Sequence, residues 1–313
     1  MKRILLLGGN GFLGSALTRY LSTRGFAVTS LSRKIPKEQL DGVRYVGSNY
    51  ENIAVLSEEL RQADTVIHLA WDTTPASSSS QPSLEIATNL APLSRLIEAM
   101  QRDFNGCLLF VSSGGGAVYG QPEQLPHTAI SESLLPAPLS YYGASKVAAE
   151  SLLHAFSSRT GTPVTVLRPS NIYGPGQLPK KGFAVIPTLL TTLRENRVFE
   201  IVGNMHSSRD YLYVDDFCHL LSMCIQKSGT MRGHETYNVC SGHSTTLAEL
   251  IGHSEKVSGN KAKLRQIDAR KEDPNIVELS GAKADDHFSW SSETSLTEGL
   301  ESTWQWINNL NLS

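Results

Sequence analysis

The sequence predicts an α/β protein built on an open, doubly wound parallel sheet, with a smaller C-terminal lobe. Three observations point there. Short apolar runs alternate with amphipathic helical stretches from residue 3 to residue 167. A glycine-rich turn separates the first run from the first helix, and after Pro169 the alternation breaks into Gly/Pro punctuation. Strands alternating with helices imply crossover units and a sheet covered on both faces.

The elements follow in order. Ile4 to Leu7 is a buried strand ended by glycines, and Ser15 to Arg24 is helical through Ala16, Leu17, Tyr20 and Leu21. Gly25 stops that helix and Phe26 to Leu31 starts the next strand. Val43 to Val46 is a short strand, Asn52 to Leu60 a helix, and Thr65 to Ala70 a buried strand. Pro82 to Arg102 reads as one long helix, Cys107 to Val111 as a strand, Tyr141 to Thr160 as a helix and Pro163 to Leu167 as a strand. Beyond Gly174-Pro175-Gly176, a helix at 186–195, a short strand at 199–201, a strand and helix over 210–226, a strand at 236–239 and helices near 246–256 and 296–309 complete the chain. The expected division is a dinucleotide-binding lobe of 1–174 plus 210–242, and a substrate lobe of 175–209 plus 243–313.

Composition narrows the function classes. Lys plus Arg total 28 against 30 Asp plus Glu, a net charge of −2 over 313 residues, so no cationic field invites nucleic acid. Hydrophobic residues at 40% and charged ones at 19% are those of a folded globular chain. The four cysteines, Cys107, Cys218, Cys224 and Cys240, show no CxxC or Cys–His spacing, so no metal and no disulfide framework are expected. Asp215-Asp216 lacks a third ligand and is expected to cap the following helix. His68 and Trp290, Trp304 and Trp306 read as packing residues. No apolar run approaches the ~20 residues of a membrane span, and the N-terminal one is too short for a signal peptide. The expectation is a soluble, cytoplasmic protein without a membrane partner.

Gly8-x-x-Gly11-x-x-Gly14 lies between a strand and a helix, with Asn10, Phe12 and Leu13 completing the turn. Glycines there allow a tight turn and a close backbone approach to a pyrophosphate, and the helix start adds free N–H groups. This is the Rossmann-type arrangement for a dinucleotide. The end of the second strand, Leu31-Ser32-Arg33-Lys34, carries no carboxylate for a ribose 2′-hydroxyl. A hydroxyl and a guanidinium there favour a 2′-phosphate, so the cofactor is NAD or NADP, with NADP favoured.

Tyr142-Gly143-Ala144-Ser145-Lys146 is the chemical centre. Residues four apart share a helix face, so the phenol and the ammonium can address one substrate atom. A nearby cation would lower the Tyr pKa and suit it to exchanging a proton with a substrate hydroxyl.

These residues resemble the extended short-chain dehydrogenases/reductases, in their nucleotide-sugar epimerase/dehydratase branch. The resemblance spans nearly the whole chain: the glycine turn, Val66 to Ala70, Val118-Tyr119-Gly120, the Tyr142/Lys146 pair, Leu167 to Gly176, Arg209 to Asp216, and Gly299 to Trp306. It implies Tyr142 as catalytic acid/base and Lys146 as the residue that holds the nicotinamide ribose and tunes the tyrosine. Leu69, Ala70, Ser112 and Pro169 would lie along the cofactor. Asn171 would hold the sugar-nucleotide phosphates, with Arg209 and Arg270 as cationic clamps.

Four departures from the family's pattern stand out. Gly115 occupies the place of the usual Ser or Thr four residues before Tyr119, which leaves Ser113 as the nearest hydroxyl to polarise the reacting oxygen. Ser32 replaces a frequent Asp, and Ser48 followed by Asn49 replaces the Asp beside adenine. The Asp-Glu pair typical of 4,6-dehydratases is missing before Val118, which argues against water elimination.

The expected activity is nucleotide-sugar 4-epimerisation of a UDP-hexose or UDP-N-acetylhexosamine, by transient oxidation to a 4-keto sugar. The alternatives are an NADP-dependent 4-keto-sugar-nucleotide reductase and a non-enzymatic dinucleotide sensor. The resemblance also implies a homodimer through helices 82–103 and 141–160, and the loop from Trp71 to Ser80 is placed to touch the sugar or to lie in solvent.

Overall fold

The computed structural model describes residues 1–114, 116–120, 129–180, 183–267 and 277–310. The elements run β1 (Arg3–Leu7), α1 (Phe12–Ser22), β2 (Ala27–Ser32), β3 (Val43–Gly47), α2 (Ile53–Gln62) and β4 (Thr65–His68). Next come α3 (Pro82–Glu85), a π-helical turn (Ile86–Leu90), α4 (Ala91–Asp103), β5 (Cys107–Val111), α5 (Gly116–Tyr119), α6 (Tyr141–Thr160), β6 (Val164–Pro169) and β7 (Asn171–Tyr173). The rest comprises α7 (Val185–Arg194), β8 (Val198–Val202), β9 (Ser208–Tyr213), α8 (Val214–Lys227) and β10 (His234–Val239). β11 (Ser244–Thr246), α9 (Leu247–Ser258), β12 (Lys263–Ile267), α10 (Ala282–Phe288) and α11 (Leu296–Asn309) close the chain.

The expected α/β class is what forms. Seven strands make one sheet in the order β10-β6-β5-β4-β1-β2-β3. Its pairs from β3 across to β6 are parallel. The chain fills the sheet outward from β1 to β3, then returns to the other side of β1 with β4. That reversal leaves a crevice at the carboxyl ends of β1 and β4, the place where open α/β sheets take ligands.

Two compact units divide the chain. The first holds Met1–Ser113, Ser140–Arg168 and Cys218–Tyr237, the second Gly114–Leu139, Pro169–Phe217 and Asn238–Ser313. The sequence-based line at residue 174 followed the Gly/Pro cluster. The units instead change over at Arg168/Pro169, where β6 ends, and resume at Cys218, inside α8, rather than at 210.

Within the first unit the strands are apolar on both sides. Leu5, Leu7, Val66, Leu108, Phe110, Val164 and Val166 join one cluster with Leu93, Leu96 and Met100 of α4 and Leu153 and Phe156 of α6. The alternate side chains Ile4, Leu6, Ile67 and Leu109 are buried as well. A strand enclosed on both faces has no polar alternation, which is why these runs read as unbroken apolar stretches. In the second unit, α7, α9 and α11 pack around Tyr173, Tyr211, Tyr213, Leu250 and Leu300, with Trp304 and Trp306 against them. Trp290 is buried too.

Several details depart from the expectations. The 82–103 helix is continuous in space but holds the π-turn, which helical periodicity does not register. Strands β7 and β11 have three residues each and are too short to show a period. β12 is exposed at all five positions and pairs in parallel with β8. Asp215 and Asp216 do not cap α8 from outside but lie in its first turn. The Asp216 carboxylate accepts from Ser292 Oγ (2.7 Å), Thr294 N (3.0 Å) and Thr294 Oγ1 (3.0 Å), fastening the segment before α11. All four cysteines are free and buried. Among the described residues, no helix is long and apolar enough to cross a membrane and no cluster of His, Cys, Asp and Glu could hold a metal ion.

Candidate active site

The glycine turn is dictated by lack of space. Gly8 has φ +90°, and a Cβ there would sit 2.8 Å from the Ala70 amide nitrogen. A Cβ on Gly9 would lie 1.9 Å from Ser30 Oγ, and one on Gly14 would lie 2.2 Å from Gly8 O. Gly14 therefore lets α1 press against the turn. Gly11 is different, since its Cβ would only touch Gly8 O at 3.4 Å. Gly11 is also the N-cap of α1, with no side chain over the helix start. Amide donors at that start, approached by a backbone without side chains, match the needs of a pyrophosphate.

The neighbouring strand ends gather around this turn. Asn10 N–H donates to Ser32 Oγ (3.2 Å), and Asn10 Nδ2 donates to Lys34 O. Ser48 N–H donates to Ser32 O at 2.9 Å, and Leu69 N–H to Leu7 O at 2.9 Å. Asn49 Oδ1 accepts from the Glu51 and Asn52 amides. Phe12 and Leu13 form the first turn of α1. The strand expected to reach Ala70 ends at His68, which pairs with Leu7, the last residue of β1.

Arg33 is not a free cation. Its Nη1 and Nη2 donate to the two Asp72 oxygens at 2.8 Å each, in an exposed fork that engages the guanidinium. The inference toward NADP assumed an unpaired guanidinium at this position, and Asp72, from the loop after β4, removes that premise.

Tyr142 and Lys146 occupy the first two turns of α6, whose N-cap Ser140 accepts from Gly143 N–H at 3.1 Å. Ser113, just past the end of β5, is placed to lower the Tyr142 phenol. Desolvation pushes the Tyr142 phenol up to about 12, opposed by the Ser113 hydrogen bond and reinforced by Glu85. Lys146 Nζ is 5.8 Å from the phenol ring centroid.

Lys146 is 3% exposed. Burial lowers it to about 7, while Glu150 and Glu85 hold it up. Its Nζ donates to Val111 O at 3.4 Å and lies 3.8 Å from the centroid of the Trp71 ring. Ser112 points elsewhere: its Oγ donates to Glu150 Oε1 at 2.5 Å, and Glu150 is bound by Arg168 Nη2 at 2.5 Å. His68 meets Tyr50 OH through Nε2 at 3.2 Å, and burial followed by Lys146 lowers it to about 3, so it stays neutral.

Sequence reasoning missed Glu85 and Asn89. Glu85 Oε2 accepts from Ser145 Oγ (2.7 Å) and from Asn89 Nδ2 (2.8 Å). A signal existed. Positions 85, 89, 93, 96 and 100 make one helical stripe, apolar in its last three members and polar in the first two, and all five are buried.

In the second unit, Asn171 Nδ2 donates to Asp210 O at 2.9 Å, and the buried Asp210 carboxylate accepts from Ser241 N, Ser241 Oγ and His243 N. Arg209 Nη1 donates to Ser208 O at 2.8 Å, and Pro169 O accepts from Gly114 N–H at 2.8 Å. Arg270 and Gly115 lie outside the described residues. The other residues proposed for cofactor and chemistry, Pro169 apart, fall together in the first unit.

With this geometry in hand, comparisons place the chain among known proteins. The model of the NAD dependent epimerase/dehydratase family matches residues 4–240. GDP-6-deoxy-D-mannose reductase of Pseudomonas aeruginosa is 32% identical, over 96% of this chain and 95% of that protein. The UDP-glucose 4-epimerase of Thermotoga maritima, solved with UDP-glucose, superposes with TM-score 0.88 at 27% identity and covers 98% of each chain. The UDP-glucose 4-epimerase of Thermus thermophilus, solved with NAD, gives TM-score 0.88 at 25% identity, covering 98% of this chain and 99% of that one.

Proposed function

Since the chain belongs to the NAD dependent epimerase/dehydratase family, we propose that it is a nucleotide-sugar 4-epimerase acting on a UDP-sugar with tightly held NAD. The observation that carries the reading is the placement of Tyr142 and the buried Lys146 on the first two turns of α6, with Lys146 Nζ 5.8 Å from the Tyr142 ring centroid, in the unit that also holds the glycine turn. The epimerases of T. maritima and T. thermophilus support the substrate class and the cofactor.

The cradle fits a dinucleotide. Gly8, Gly11 and Gly14 would hold its pyrophosphate, with Asn10, Phe12 and Leu13 at the start of α1. Ser32, Ser48 and Asn49 would face its adenosine end, and Leu69, Ala70, Ser112 and Pro169 would flank it. NAD is favoured over NADP because Asp72 engages Arg33. When bound, an oxidised nicotinamide supplies a reversible hydride acceptor.

The protein's own groups handle the proton. The Tyr142 oxygen takes the proton of the sugar 4-hydroxyl as that carbon is oxidised, and gives it back when the ketone is reduced from the other face. Ser113 orients the phenol and the reacting oxygen. Lys146, as a cation, favours the phenolate and lowers the work of removing the proton. Asn171, Arg209 and Arg270 are assigned to the sugar-nucleotide phosphates, as the family resemblance implies. We further assign the protein to the cytoplasm as a homodimer, through the faces of the 82–103 and 141–160 helices.

The second reading, a keto-sugar-nucleotide reductase, is favoured by the similarity to the P. aeruginosa reductase. One experiment separates them. The purified protein is incubated with UDP-glucose and with UDP-N-acetylglucosamine, and the released cofactor is identified by mass spectrometry. Interconversion of 4-epimers without net change in NADH absorbance supports epimerisation. Stoichiometric consumption of NADPH with a 4-keto sugar nucleotide, and no epimer, overturns it.

A further inference from the structure

Glu85 is a carboxylate with 2% of its surface exposed, and none of the proton steps above uses it. An ionised group so buried is costly unless charge and hydrogen bonds meet it. Here they do. Burial pushes its carboxyl up, but the hydroxyls of Thr73, Ser78 and Ser145 and the Asn89 amide reverse this and hold it below the usual range. Glu85 is an anion inside the first unit.

Its partners lead to both sides of the proposed catalytic pair. Ser145 lies between Tyr142 and Lys146, and its Oγ reaches Glu85 Oε2 at 2.7 Å and Tyr142 O at 2.8 Å. On the other side, Asn89 Oδ1 accepts from Asp72 N–H at 2.9 Å and Asn89 Nδ2 donates to Thr73 Oγ1 at 2.9 Å. The segment so pinned carries Trp71, whose ring lies against Lys146 Nζ. Glu85 precedes the π-turn Ile86–Leu90 and Asn89 lies within it.

We propose that Glu85 is a positioning residue for the Tyr142–Lys146 pair: it braces α6 through Ser145 and the Trp71 segment through Asn89, and so fixes the surroundings of the Lys146 ammonium. This rests on the reading of Tyr142 and Lys146 as the acid–base pair. The groups facing Lys146 are few. Glu85 approaches from α3, Glu150 from its own helix and His68 from β4. Glu150 is already bound to Arg168 of β6, and His68 is neutral, so Glu85 is the carboxylate without a guanidinium partner among these.

The test uses the full chain with its cofactor as purified. Lysine labelled with ¹³C at the ε position reports the Lys146 titration directly, with Lys146→Met to assign the resonance. Glu85→Gln is expected to lower the Lys146 midpoint by about one pH unit, and Glu85→Asp to restore most of that shift. In turnover, Glu85→Gln is expected to lower kcat by about 10- to 100-fold while KM stays within about twofold and the melting temperature is little changed. Ser145→Ala, which cuts the link to α6 but keeps the carboxylate, should lower kcat while moving the Lys146 midpoint less. An unchanged Lys146 midpoint in Glu85→Gln overturns the proposal. So does a kcat loss that is equal in Glu85→Gln and Glu85→Asp and follows their melting temperatures. The two readings fail separately: turnover retained in Tyr142→Phe sinks the acid–base assignment, whereas the Lys146 titration judges the brace with no substrate present.

Discussion

The Lys146 ammonium nitrogen lies 3.8 Å from the centroid of the Trp71 indole, a cation over an aromatic face inside the protein. The arrangement spares the charge some of its desolvation but not all, since Lys146 still falls to about 7 from 10.5. A base whose folded pKa is depressed binds fewer protons in the native state than in the unfolded one between those two values. Stability from this group therefore rises with pH across that window, and below about 7 the full penalty of burying the cation is present. Thermal melts should show the wild type gaining on Lys146→Met as pH rises from 7 toward 10. A difference between the two that does not change with pH would contradict the burial of this charge.

Tyr142→Phe removes the one phenol placed to exchange the proton, and turnover should fall by about 10²–10⁴-fold. The melting temperature should change little, because the ring and its packing are retained. Steady-state kinetics and a thermal melt on the same preparation check both halves.

Neighbouring serines should respond in opposite ways. Ser113 meets Tyr142, whereas Ser112 donates to the buried Glu150 at 2.5 Å. Ser113→Ala should lower kcat by about 10- to 100-fold and leave stability nearly unchanged. Ser112→Ala should cost about 1–3 kcal/mol in urea unfolding, because it strips a donor from a buried carboxylate, and should lower kcat less than Ser113→Ala does. Reversal of the two outcomes would mean that the strand end is set differently.

The glycines of the turn divide by what surrounds them. A methyl on Gly14 would meet Gly8 O at 2.2 Å, so Gly14→Ala should unseat α1 and lose both stability and NAD binding. Gly11 has room for one against the protein itself, at 3.4 Å from Gly8 O. Gly11→Ala should keep the fold and weaken NAD binding, as measured by calorimetry. Equal NAD affinity in Gly11→Ala and wild type would mean that the pyrophosphate does not lie where the turn invites it.

Asp72→Asn should free Arg33 and raise the preference for NADP relative to NAD by about fivefold or more. Competitive binding of the two oxidised dinucleotides reads this ratio. If the ratio does not move, the Arg33–Asp72 fork has no part in cofactor choice.

Most of the sheet was legible because enclosed strands are apolar throughout and their helices carry a regular stripe. The bounds of α6 and α11 follow directly from the pattern, with Ser140 and Ser295 as caps. What stayed hidden has physical causes. β7 and β11 are too short to repeat, and β12 has no buried face. In the site, Tyr142, Lys146 and Ser113 could be named from spacing and resemblance. The state of Arg33 could not, since its partner Asp72 is 39 residues away and joins it only once the sheet has formed.

The π-turn has a consequence for how this gene can change. Inserting or deleting one residue in an α-helix rotates everything beyond it by about 100°, and such changes are ordinarily lost. At Ile86–Leu90 the helix already holds a spare residue. Deleting one position there would convert the turn to ordinary α-helix and leave Leu93, Leu96 and Met100 in register with the core. Glu85 and Asn89 would be pulled out of line at the same stroke. This is a place where the reading frame of the fold and the wiring of the site can be edited separately, so a chain shortened here would be expected to fold and to have lost its brace.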